Sequence, residues 1–489
     1  MPPFVALVLC TGFVLVLLRQ ESKSSRDVSP ALWIPTVWAM VIASRPLAAW
    51  FLVAGEASMG NEAGSVLDRW VLVGLAVPTI AILVRRNIDW GDCLRRHGWL
   101  MSLLAYMFLS TLWSQITLIA IRRCIREVIV VLMALALITE ANPRQALESI
   151  LRRTAYVLLP FSLVLIKYYP LLGVRYGKWS GALTWVGVTA QKNHLGRLCM
   201  ISVLFLAFAL YRRWRDRTSE GGRYVKWADI SILLLAIYLL KGAENAYSAT
   251  SLVTLALGLV TFLALHSARN VNLRLKQMVL LASVIVLFAF GVATPFLGGS
   301  GVAALTSSLG RDSTLTGRTE VWSDVLPEVE REPLLGHGFG SFWTDARRAL
   351  YDIPTAHNGY LDILLELGVV GLGLYGFWLV SCTFTLCRAL NRDYDWASMG
   401  ISFLLMGLLY NTTESALNSL TEHMTAVTVL ALFVASHQQI AATDRKPSVL
   451  EAFPQGYHWQ SRSFGAQRRS YMSGTRPDSR KIMHFRSPA

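Results

Sequence analysis

Apolar runs recur along most of this chain and are broken by short polar, mostly basic connections. "PPFVALVLCTGFVLVLL", "WVLVGLAVPTIAILV", "VIVVLMALALI", "CMISVLFLAFAL", "ISILLLAIYLL" and "MVLLASVIVLFAF" are examples. A bilayer core of about 30 Å needs roughly 20 apolar residues per helical crossing. A membrane barrel would alternate polar and apolar residues instead. The pattern therefore predicts an all-α, polytopic membrane protein with about 12–13 spans. They are placed near 3–18, 31–53, 70–84, 99–114, 127–140, 154–169, 189–210, 228–241, 248–265, 277–296, 359–387, 397–411 and 422–440. Three regions follow: a multi-span domain over 1–440, a large loop at 297–358 within it, and a basic tail at 441–489. The tail is rich in Ser, Arg, Gln and Pro and is expected to stay unfolded.

Composition agrees. The chain is 54% hydrophobic and 16% charged, against about 25% charged residues in soluble domains. Its net charge of +15 would suggest nucleic acid in a soluble protein; here basic loops orient helices. Of 46 Lys and Arg residues, 30 fall on one alternating set of connections and the tail. The positive-inside rule makes that set cytoplasmic, so the N-terminus, the 169–188 connection and the loop 297–358 face out. The first apolar run has its charges after it, which fits a retained first helix. No phosphate-binding glycine loop occurs, and no His-Glu-x-x-His. Six cysteines without a C-x-x-C pair, none of them in the long loop, argue against zinc and a disulfide framework.

Polar chemistry gathers at the ends of spans expected to face out. In "GRTEVWSDVLPEVE", Val321, Trp322, Val325, Leu326 and Val329 share a helical face. The spacing predicts amphipathic helices lying on the membrane surface. Arg311 and Arg318 stand at the start of that loop and His357 at its end. Asn358 suits the N-cap of the following helix. "VTAQKNHLGRLCM" supplies Lys192, Asn193, His194 and Arg197, with Arg175 and Lys178 just before; Arg122, Arg123 and Arg126 form a fourth patch if that segment faces out. Arginine presents a planar fork suited to phosphate, and histidine can act as a general base. Each has a plainer reading: the arginines pair with nearby Asp312 and Glu320, and the histidine ties down a loop. Asp362 and Glu366, one and two turns into the helix, are expected to pair with cations in the bundle.

"TGRTEVWSDVLPEVEREPLLGHGFGSFW", then "HNGYLDILLELGVVGLGLYG", with "QKNHLG" upstream, resembles the O-antigen ligase and O-antigen polymerase superfamily, and within it the exopolysaccharide polymerases. The resemblance covers roughly 31–435, most strongly 185–197 and 317–376. It implies a glycosyltransferase C-like membrane enzyme that uses neither nucleotide sugar nor metal, and no other cofactor. Its donor is an oligosaccharide on undecaprenyl pyrophosphate, in the inner membrane of a bacterium, with the site facing the periplasm. Carried over, Arg318 and Arg175 bind pyrophosphate, and His357 orients or deprotonates the acceptor hydroxyl. Lys192 and Asn193 line the site. Arg311, outside the core motif, completes the substrate-binding set with Asn358 and Tyr360, while His337 is structural. Expected partners are the lipid-linked substrate, membrane lipid, a chain-length regulator and export proteins, with no nucleic acid. A polymerase is favoured over a ligase. A transporter would place charge at mid-membrane and show internal repeats, and neither is apparent.

Overall fold

The computed structural model describes residues 1–25, 27–51, 65–86, 88, 90–177, 181–216, 222–243, 246–297, 318–416 and 418–443. Arg311, Lys178 and the tail beyond 443 lie outside them. A helix stands at each of the thirteen expected spans: α1 (Pro3–Ser24), α2 (Trp33–Ala43), α3 (Val66–Arg85), α4 (Gly98–Ser110), α5 (Thr117–Ile138), α6 (Pro143–Tyr168), α7 (Lys192–Asp216), α8 (Gly222–Lys241), α9 (Ala249–Ser267), α10 (Leu273–Ala293), then α13 (Gly359–Ala389), α14 (Tyr394–Tyr410) and α15 (His423–Thr443). Two further helices belong to the long loop, α11 (Arg318–Arg331) and α12 (Asp345–Tyr351). Among the described residues, seven helices are long and apolar enough on their own to cross a membrane. These are α1, α3, α6, α7, α9, α10 and α13; the others are shorter or more charged. A small ribbon pairs Val174–Tyr176 with Leu183–Trp185 in antiparallel register. The protein is an all-α, multi-pass membrane protein.

Two boundaries differ from the sequence expectation. The span over 31–53 breaks after Ala43 and resumes only as a short helix at Ala48–Phe51, because Pro46 lacks an N–H and disfavours helical geometry at Arg45. Arg45 instead turns its guanidinium onto the carbonyls of Leu172 (2.6 Å), Val188 (3.3 Å) and Gly187. The second is α5, which begins at Thr117 rather than 127 and so carries Arg122, Arg123 and Arg126 in its first turns.

The central feature is a break in α13. Gly368 adopts φ 63°, ψ −166° inside the helix. Backbone groups freed inside a membrane protein must find partners from the protein itself. The glycine-rich turn of the loop supplies them. His337 N and Gly338 N donate to Leu365 O and Glu366 O at 3.0 and 2.8 Å, while Val369 N and Val370 N donate to Pro333 O and Leu334 O at 2.9 and 3.2 Å. Gly336, Gly338 and Gly340 all have φ above 60°, which a side chain would disfavour. The loop is thus laced by main-chain bonds into the break. Its helices differ from the surface-lying arrangement expected: Val321, Trp322 and Val325 of α11 are buried against Phe342, Trp343, Leu361 and Leu365 of the protein. Trp322 Nε1 donates to Ala356 O at 2.9 Å.

Gly368→Ala would set a Cβ 2.2 Å from Leu334 O, against backbone that cannot swing aside. We expect that variant to lose well-folded protein, read as a fall in melting temperature in detergent. Gly373→Ala, five residues on with open space around it, should keep or slightly raise the melting temperature. Equal melting of Gly368→Ala and the parent would show that the break is dispensable.

Candidate functional site

The connection between α14 and α15, "NTTESALNSLTE", folds over one end of the bundle and is held from several directions. Gly359 N donates to Asn411 O at 3.0 Å, and Asn411 Oδ1 accepts from Ala416 N at 3.0 Å. Thr413 Oγ1 donates to Thr250 Oγ1 at 3.0 Å. Glu127 of α5 accepts from Ser419 Oγ at 2.7 Å and from Leu420 N and Thr421 N. This framework buries one carboxylate, Glu414, whose side chain is 6% exposed.

Three of the residues singled out in the sequence converge on it. Glu414 Oε1 accepts from Arg318 Nη2 and Asn193 Nδ2, each at 2.5 Å. Glu414 Oε2 lies 3.6 Å from His357 Nδ1. That nitrogen is buried and makes no hydrogen bond among the described residues. Arg318 begins α11, Asn193 sits in the first turn of α7, and His357 precedes α13. His357 has φ 50°, in the left-handed region, which side chains other than Gly, Asn and Asp seldom occupy. Burial pushes the Glu414 carboxyl up, but the Arg318 guanidinium and then His357 outweigh it and hold it at about 2. Beside it, Arg197 of α7 is paired with Glu422, and Tyr410 OH donates to Asn193 O at 3.0 Å.

The other expected residues take different places. Asn358 caps α13: its Oδ1 accepts from Tyr360 N and Leu361 N, both at 3.0 Å. Its Nδ2 donates to Gly291 O and Thr412 O, both at 3.1 Å, so every polar atom of the amide is engaged. Tyr360 is wholly buried, with its hydroxyl donating to Leu408 O at 2.9 Å and its ring edge-on to Phe288. These two lie in the framework under the site. Lys192 begins α7. Arg175 is exposed on the small ribbon, where its charge bears on Arg45. Among the described residues, Asp362 and Glu366 do not form the ion pairs expected of them, though the Arg123 charge bears on Glu366. Asp362 accepts from Trp343 Nε1 (2.7 Å), Ala356 N (3.1 Å) and Ser415 Oγ, tying the loop to both α13 and the Glu414 segment. The main chain of Glu366 meets the glycine turn. Arg123, in the fourth basic patch, donates to Gly340 O and so braces that turn.

Glu414 is the residue that a search for cations passes over. Its signal was available: one of only two carboxylates, with Glu422, in a short polar connection flanked by two apolar spans, where an ionised group is costly without a partner.

The depressed pKa fixes a pH dependence. A carboxylate held below its ordinary value of 4.5 contributes stability above that value and loses it as pH falls towards about 2. Glu414→Gln should therefore melt below the parent at pH 7, and the gap should shrink progressively below about pH 4.5. A gap that stays constant between pH 7 and pH 3 would show that Glu414 is not held ionised by its neighbours.

Comparison with known proteins bears on the same elements. A family model described as O-antigen ligase matches residues 232–376, from the middle of α8 through the loop and the break in α13. Arg318 and His357 lie within that segment; Asn193 and Glu414 lie outside it. The exopolysaccharide production protein ExoQ of Rhizobium meliloti (strain 1021) is 27% identical over 386 residues, covering 75% of this chain and 82% of that protein. Taken together, residues 232–376 are similar to the O-antigen ligase family, and most of the chain is similar to a protein of exopolysaccharide production.

Proposed function

We propose that the protein is a membrane glycosyltransferase that polymerises undecaprenyl-pyrophosphate-linked repeat units into exopolysaccharide, working at the outer face of the bacterial inner membrane without a metal. The observation that carries this reading is the convergence of Arg318, Asn193 and His357 on the buried Glu414 carboxylate at one end of a helical bundle. Similarity to a protein of exopolysaccharide production supports the polymer as product.

The chemistry follows from the charges. An acceptor hydroxyl attacks the anomeric carbon of the lipid-linked glycan. The bond from that carbon to the pyrophosphate oxygen breaks, and its electron pair leaves with the lipid pyrophosphate. The hydroxyl proton passes to His357. Negative charge grows on the leaving group, where the Arg318 fork can meet phosphate oxygens in place of Glu414. Positive charge grows on the imidazole, and Glu414, released from Arg318, is the carboxylate placed to stabilise it. Glu414 thus positions both partners and shifts between them as the reaction proceeds. While Arg318 still holds it low, Glu414 is itself too weak a base to take the proton at the start of the reaction.

The family description favours a second reading, a ligase that moves finished glycan from the lipid to another acceptor. Reconstitution of the pure protein with a defined lipid-linked repeat unit separates the two: a ladder of products identifies a polymerase, a single transfer to a different acceptor a ligase.

His357→Ala should abolish product while the protein stays in the membrane; polymer at the parent level would remove His357 from proton transfer. Arg318→Lys keeps the charge but loses the fork, so turnover should fall at least tenfold, by about the worth of one charge-assisted hydrogen bond. Full activity in that variant would rule out bidentate phosphate contact. Activity should survive chelator, and strong inhibition would overturn the metal-free reading.

A further inference from the structure

A second polar feature lies away from the Glu414 cluster. α9 starts beside Thr413 and runs 19 residues from Ala249 to Ser267, roughly 28 Å at about 1.5 Å per residue. At its far end, the turn into α10 faces the turn between α13 and α14. Between them is a cleft of about 420 Å³ lined by Arg269, Lys276, Asn391, Arg392 and Tyr394, among others.

Three of those side chains are cations. Lys276 is only 8% exposed, although it carries an ammonium. Among the described residues its partners are neutral: the carbonyl of Arg269 at 2.9 Å and the face of Tyr394, 4.7 Å away. The Arg269 guanidinium stacks over the same ring at 5.1 Å. The carboxylates nearby already serve other cations. Asp393 pairs with Arg144. Asp395 is held by Arg215 at 2.6 Å and reaches Arg269 only at 3.8 Å. The cleft therefore carries surplus positive charge in a setting partly withdrawn from water.

Directly along α10 from the cleft, one helical face is apolar and exposed: Leu275, Met278, Val279, Ile285 and Val286 are each more than half exposed. Their spacing of three, four and seven keeps them on one side. A basic cleft at a helix end, with an apolar track leading from it along the membrane-spanning helix, matches the two halves of an anionic lipid.

We propose that this cleft binds a phosphate group, held by Arg269, Lys276 and Arg392 over the Tyr394 ring, and that the group is the headgroup phosphate of an anionic phospholipid whose chain follows α10. The site is separate from the proposed reaction centre and does not depend on it.

The test uses the full chain purified from nanodiscs containing phosphatidylglycerol and phosphatidylcholine. Retained phospholipid is counted by native mass spectrometry. A second arm measures the melting shift caused by inorganic phosphate. Arg392→Ala changes an exposed side chain and carries the test even if Lys276→Gln folds poorly. Arg388→Ala, exposed on the last turn of α13 and outside the cleft lining, controls for general surface charge. The parent should retain phosphatidylglycerol in preference to phosphatidylcholine. Retention should fall about fivefold in Arg392→Ala and in Lys276→Gln, and remain in Arg388→Ala. Stabilisation by inorganic phosphate in the parent alone, with no lipid retained, would keep the phosphate site and replace its source with a soluble one. Equal retention in all variants, or an equal loss in Arg388→Ala, with no phosphate shift, would overturn the proposal.

Discussion

A carboxylate withdrawn from water must be matched by positive charge and hydrogen-bond donors, or it costs several kcal/mol. Glu414 is such a group, and its partners come from three distant parts of the chain. Arg318 belongs to the loop, Asn193 to the start of α7, and His357 to the approach to α13. Each of those segments also has local reasons to be where it is. What none of them has alone is a reason to meet. Satisfying one buried charge gathers them, and it holds them in a geometry where cation, carboxylate and imidazole stand within a few ångströms.

The second constraint is the backbone. α13 is interrupted at Gly368, and the loop's glycine turn takes over the broken ladder on both sides of the gap. The loop is therefore built into the wall of the bundle as an extra layer. Asp362 and the Trp322 indole reinforce this from either side. Because His357 and Asn358 lie just beyond this laced region, the placement of the imidazole follows from main-chain bonding some ten residues away.

Much of the architecture was legible in the sequence because lipid and helix geometry both demand long apolar runs. Asn358 as a cap and the buried face of α11 were equally readable, since capping and helical spacing are local. What covers that face was not, because spacing names the apolar side but not its partner. Arg175 shows the same limit: it follows the same kind of basic patch as Asn193, yet a three-residue ribbon keeps it on the surface. Glu414 escaped for a different reason. Sorting basic residues finds the attracting half of an ion pair, and the carboxylate that organises the cations appears only when three dimensions bring them together. The early start of α5 went unread because its first turns are charged and serve the loops.

The backbone at His357 has one further consequence. A glycine there would adopt φ 50° without penalty, and an asparagine with little. Histidine holds the same conformation at a cost that local folding does not reward. If backbone strain alone shaped this position, the imidazole would be among the easiest groups to exchange. On the proposed mechanism, the position is thus a place where backbone ease and activity pull apart: the substitutions that would relax the chain are those that remove the imidazole nitrogen facing Glu414. On the proposed function, a screen that rewards backbone ease and carries no activity readout would select this residue away.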